Sequence, residues 1–191
     1  MGALFRAISL LAGAISVLVA CSSNSGIGAA LDERRNAGPC PTVGALYETS
    51  RIIEFEGEEE LYTNIAYTGE ISDVRLFCRY ADDEPIIAEV EVDFAFGKGP
   101  EGADRYHEYT YFVAVMRRNT RVLNRETFTV RADFRGKSVA ALQDLVGRIE
   151  IPRVDDTISG ANFEVLVGFE LTDAQLRFNQ DGKRFRLDAG G

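Results

Sequence analysis

His107 is the only histidine in this 191-residue chain. A serine or cysteine nucleophile of the usual kind needs an imidazole base and a carboxylate that orients it. His107 has Glu108 beside it and Asp104 close by, at a loop-to-strand junction. No G-x-S-x-G turn accompanies it, so it reads as a surface or edge histidine. Glu89 and Glu91 are the best-spaced carboxylates, because residues two apart in a strand point the same way. Two carboxyls about 5–9.5 Å apart beside a cleft would suit sugar hydrolysis. Arg75 and Arg79 are expected to face them, however. Ion pairing lowers a carboxyl pKa, the wrong direction for a general acid. Asp82-Asp83-Glu84 and Asp155-Asp156 are acidic turns without the spacing of a calcium loop. Gly136-Lys137-Ser138 echoes the end of a phosphate loop, but Arg131 stands where the upstream glycine belongs. These residues assign no catalytic group, no metal and no cofactor.

The three cysteines carry a stronger signal. Met1–Ala20 has the parts of a secretory leader: a short start with Arg6, 13 apolar-rich residues from Ala7 to Val19, and small residues around Ala20. That stretch suits a signal core and falls short of the about 20 residues a membrane span needs. Leu18-Val19-Ala20-Cys21 resembles the lipobox of bacterial lipoproteins. The resemblance implies that the Cys21 sulfur receives a diacylglycerol group and that the leader is cut just before it. The alternative is a secreted chain with a free thiol near its new end, a liability in an oxidising space. Two or three acyl chains would anchor firmly where one is marginal. Ser22, where that class uses aspartate for inner-membrane retention, implies the outer membrane and its periplasmic face.

With Cys21 consumed, Cys40 and Cys78 remain as an even pair in a compartment that permits disulfides. Closing that loop would stabilise the fold by about 4 kcal/mol on the chain-entropy model. Two buried, reduced thiols are the alternative. Two cysteines and one distant histidine make a poor metal set.

The chain carries a net charge of −9. Without the leader it is 171 residues, with 20 Lys plus Arg against 30 Asp plus Glu, a net of −10. That balance argues against nucleic acid and against electrostatic adhesion to anionic lipid headgroups. The length is enough for one domain with a real core.

The elements that must position these residues are β in character. Residues 21–39 read as the lipid anchor and a flexible tether with a reach of roughly 20–25 Å, with room for a short helix over Ala29–Arg35. Strands are expected over Thr49–Phe55, within Ala66–Tyr80, and over Ile86–Phe96, where apolar and acidic residues alternate. Setting Cys78 opposite Ala88 keeps both apolar sets on one face, and it places Arg75 opposite Glu91. Tyr106–Met116 and Val122–Phe134 form a second hairpin, which needs a bulge near Leu123–Arg125 to bring its apolar sets into phase. Lys137–Ile149 has apolar residues at helical spacing, so a helical turn running into a short strand is expected there. Phe163–Leu171 is a strand, and Thr172-Asp173-Ala174-Gln175 opens a short helix with capping-box spacing. The reading is an all-β, Ig-like or fibronectin-type sandwich of about seven strands with one or two short helices. Its domain covers residues 40–179, with a tail over 180–191. An up-and-down barrel is the alternative.

"CPTVG", "LFCRY", "YFVAV", "RETFTV" and "FEVLVGFELTDAQLRFN" together resemble a set of proteobacterial outer-membrane lipoproteins with no known activity. That resemblance spans roughly residues 40–179 and implies no site residue. The functional expectation is a membrane-anchored, non-catalytic binding or scaffolding module of the periplasm with an envelope protein as partner. A carrier or sensor of a small apolar ligand and a cell-wall hydrolase are the alternatives.

Overall fold

The computed structural model describes residues 38–81, 84–118, 120–154 and 157–185. The expected leader, Cys21, residues 22–37 of the expected tether and the considered helix at Ala29–Arg35 lie outside the described residues, whereas Gly38 and Pro39, assigned to the tether from sequence, are described. Eight strands are present where about seven were expected: β1 (Thr42–Ala45), β2 (Arg51–Phe55), β3 (Ile65–Arg79), β4 (Ile86–Lys98), β5 (Tyr106–Arg117), β6 (Arg121–Asp133), β7 (Val139–Ile151) and β8 (Phe163–Phe169). One helix, α1 (Asp173–Gln180), follows them. Among the described residues no helix is long and apolar enough to cross a membrane.

The strands form two four-stranded sheets, β1-β8-β5-β6 and β2-β3-β4-β7. Only β1 and β8 run parallel; the other pairs are antiparallel. The architecture is thus an all-β sandwich, Ig-like in its two packed sheets and with a strand order of its own. Alternation explains it. Val90, Val92 and Phe94 of β4 pack against Tyr109, Tyr111 and Val113 of β5 and Val165, Val167 and Phe169 of β8. The intervening Glu89, Glu91 and Asp93 stay on the outer face.

Register follows the apolar sets. Cys78 lies opposite Ala88, and Arg75 opposite Glu91. β3 carries a bulge at Ser72, between Ile71 and Asp73. The bulge moves its inward set from Tyr67 and Ile71 to Val74, Leu76 and Cys78. In the second hairpin Val115 faces Asn124 while Met116 faces Val122. Leu123 is therefore the extra residue that the phase of the two strands required.

The expected helical turn over Lys137–Ile149 is instead strand β7. Its inward positions are Ala140, Leu142, Asp144 and Val146. Gly147 and Arg148 then stand together against Glu89, since Val90 pairs Val146 and Ala88 pairs Ile149. Arg148 takes a left-handed φ of 57° at this bulge. A polar residue on the inner face and one inserted residue turned a spacing of two into the apparent spacing of four and three.

Cys40 and Cys78 are joined, with Cα atoms 5.7 Å apart. Close by, the Tyr80 hydroxyl donates to Pro39 O at 2.7 Å and accepts from the Gly160 N–H at 2.6 Å. Only glycine fits there, because a Cβ on Gly160 would lie 2.4 Å from Pro39 O. The start of the described chain is thereby clamped to one end of the sandwich. At the other end α1 opens with the expected capping box between Thr172 and Gln175. Gln175 and Asn179 donate side-chain amides to Ile53 O at 3.0 Å and Arg51 O at 2.8 Å. These bonds cover the free edge of β2, which would otherwise expose unpaired carbonyls.

Candidate functional site: a groove on the outer face of one sheet

Two cross-strand rows build the floor. Ile53, Thr68, Gly97 and Val139 are successive neighbours across β2, β3, β4 and β7. Arg51, Glu70 and Ala95 line the floor in the next row. Glycine, alanine and threonine at outward positions leave a trench where larger side chains would fill the face. Phe178 of α1 and Phe185 beyond it stand as one wall, with ring centroids 6.1 Å apart. The segment expected to be a tail thus continues the packing as far as Phe185, which also meets Phe55. The groove has a volume of about 560 Å³, within the range of small-ligand sites.

Its rim is charged and internally paired. Arg51 Nη2 binds Glu70 Oε1 at 2.7 Å. Lys183 meets Glu60 at 2.6 Å and Asp181 at 3.4 Å, which raises its pKa. The Arg184 guanidinium lies over the Tyr47 ring. Beyond the floor, Asp93 accepts from Gln143 at 2.9 Å and from Arg75 at 2.9 Å. Both contacts, Gln143 first, hold its carboxyl below the usual range. Glu70 is the one carboxylate among the described lining residues, and Arg51 holds it. This arrangement can bind; it offers no acid–base pair.

The residues singled out from sequence lie elsewhere. Glu91 accepts from Arg75 Nε at 3.1 Å on the outer face, and Arg75 is also bound to Asp73. Glu89 faces Phe77 and lines a separate shallow depression with Arg79, Arg148 and Glu150. His107 is not an edge residue. It is half-buried on the inner side of β5, 3.0 Å from Glu54 of β2, and stacked on Tyr67 at 3.8 Å. The Asp104 N–H donates to the Tyr67 hydroxyl at 2.9 Å, so that group too is engaged. Gly136-Lys137-Ser138 forms the β6–β7 turn, where Gly136 has a φ of 78°. No helix follows it to cradle a phosphate. Asp82, Asp83, Asp155 and Asp156 lie outside the described residues. Among the described residues no three histidine, cysteine or acidic side chains converge as a metal set would.

The groove residues escaped sequence reasoning. Thr68, Gly97 and Val139 are unremarkable one at a time, and the signal is their adjacency across three strands. Comparison with protein-family models, with curated proteins and with solved structures finds no match to this chain.

Proposed function

We propose that this chain is a lipid-anchored module of the cell envelope that binds without catalysis. Cys21 holds it at the periplasmic face of the outer membrane, and the groove across sheet β2-β3-β4-β7 is its binding surface for an envelope partner. The observation that carries this reading is the groove itself. It combines a floor of small side chains, an aromatic wall and a charged rim, and the one carboxylate among its described lining residues, Glu70, is paired with Arg51.

The test is a photo-crosslinking residue placed at Val139, which lines the groove from β7, in cells. A probe at Thr129, exposed on β6, is the control. The expected outcome is a discrete adduct from position 139 and none from position 129. Cys21→Ser should move the protein out of the membrane fraction and weaken the adduct. Equal capture from both positions overturns the groove as the binding surface. Unchanged membrane fractionation of Cys21→Ser overturns the anchor.

A further inference from the structure

Arg117 and Arg121 stand directly opposite each other where β5 turns into β6. Like charges in a directly opposed cross-strand pair destabilise a hairpin. Both side chains are exposed, and among the described residues neither meets a carboxylate. Their neighbours do. Arg118 binds Glu164 at 3.1 Å, and Arg125 binds Glu170 at 2.6 Å. An uncompensated pair that the fold does not need marks a position kept for something outside the fold.

The position is informative. Arg118 Nη2 also donates to Thr42 Oγ1 at 3.2 Å, two residues after the disulfide-bonded Cys40. The hairpin tip therefore sits where the described chain begins, at the end from which the tether leaves. Val122, next to Arg121 in β6, is 51% exposed. The net charge argues against adhesion of the chain as a whole, but two exposed guanidiniums with the bare Val122 beside them suit an anionic bilayer surface locally, once the tether holds them there. Arginine takes the headgroup phosphate, and the apolar side chain enters the interface. Glu84 precedes β4 of the other sheet, which tips the contact toward the β5–β6 hairpin. The run Glu56–Glu60 follows β2, at the far end.

We propose that Arg117 and Arg121 dock the β5–β6 hairpin on anionic phospholipid headgroups of the membrane that holds Cys21. This proposal rests on the anchor reading. Two arginines alone bind weakly, and the tether supplies the local concentration that makes the contact count. The groove crosses β3 at Thr68, ten residues before Cys78. Docking the hairpin would therefore hold the groove roughly 30 Å farther from the bilayer, facing the periplasm.

The test uses the chain purified from membranes and reconstituted in vesicles. A fluorescent residue at Thr120 reports the hairpin tip, and one at Thr63 reports the far end. Energy transfer to a headgroup-labelled lipid should be greater from position 120 in phosphatidylglycerol vesicles than in phosphatidylcholine vesicles. High salt should remove the difference. Arg117→Glu with Arg121→Glu should also remove it, and each arginine lost should weaken the contact about fivefold. Lys137→Glu, at the other end, should leave it unchanged. Equal transfer in both vesicle types, or a double variant that behaves as wild type, overturns the proposal. The mass of Cys21 tests the anchor separately. If it carries no acyl chain, the anchor reading fails. The chain coupled through Cys21 to a maleimide lipid then tests the hairpin contact in the same vesicles.

Discussion

The Tyr111 hydroxyl on β5 donates a 2.7 Å hydrogen bond across the sandwich to Asp144 Oδ2 on β7. It is one of three such links from successive inward positions of β5. His107 reaches Glu54 of β2, and the Tyr109 hydroxyl donates to Thr68 O of β3 at 3.0 Å. One strand thereby fastens three strands of the opposite sheet with polar contacts set into an apolar core. Burial first, and the Asp144 carboxylate second, push the Tyr111 phenol well above its usual range. Both effects favour the protonated hydroxyl, the form that donates to Asp144.

Tyr111→Phe deprives Asp144 of that donor and should cost about 1–2 kcal/mol. Asp144→Leu strands the buried hydroxyl and should cost a similar amount. The double variant should lose clearly less than the sum, because each single change leaves a partner unsatisfied. Urea denaturation of the four proteins measures this, and additive losses would show that the two groups act independently.

Tyr80 clamps the start of the domain through Pro39 and Gly160. Tyr80→Phe should destabilise by about 1–3 kcal/mol, because it leaves the buried Gly160 N–H without its acceptor. Gly160→Ala should be at least as damaging, since its Cβ would lie 2.5 Å from the Tyr80 hydroxyl oxygen. Thermal melts compare the two. A neutral Gly160→Ala would mean that the clamp gives way at little cost.

Breaking the Cys40–Cys78 bond with paired serines should cost about 4 kcal/mol on the chain-entropy model. A reductant should lower the denaturation midpoint of the wild type and leave that of the paired-serine variant unchanged. A wild type indifferent to reductant would contradict this.

Asp133 sits between Arg105 at 2.8 Å and Arg135 at 2.8 Å. Both guanidiniums, Arg105 first, hold its carboxyl far below the usual range. A depressed folded-state pKa gives stability that is complete above the unfolded value, about 3.9. That stability is lost as pH falls below this value toward the folded one. Arg105→Gln should therefore flatten the acid limb of the stability–pH curve below about pH 4 while leaving its shape near neutrality unchanged. Denaturation midpoints across that range decide it, and parallel acid limbs would sink the assignment.

Ala95→Phe should fill the groove from its floor. The site is exposed on the outer face of the sheet, so stability should change by less than about 0.5 kcal/mol. Capture of a partner by a probe at Val139 should be lost. Loss of capture together with loss of stability would point to a damaged fold instead.

How much was legible beforehand depended on range. The inward face of β4, the cap of α1 and the Cys78–Ala88 register could all be read from neighbouring residues. The extra residue at Leu123 was legible too, because two strands of fixed phase joined by a short turn leave one way to bring both apolar sets inside. The nature of β7 was not. Asp144 lies on its inner face because Tyr111, 33 residues away, supplies a donor. Nothing near Asp144 announces that partner.

By itself the sequence determined a β domain behind a leader-like segment and the strands whose periodicity is local, and it left the two later cysteines as the candidates for a bond. Alternation, turn chemistry and capping act over a few residues, so they are written where they act. Only the tertiary structure decided which strands became neighbours. That choice put Thr68, Gly97 and Val139 side by side as a groove, set His107 against Glu54, and left Arg117 facing Arg121 beside the start of the domain. Each of these depends on packing between segments distant in the chain, where a residue's role is set by what the whole fold brings to it.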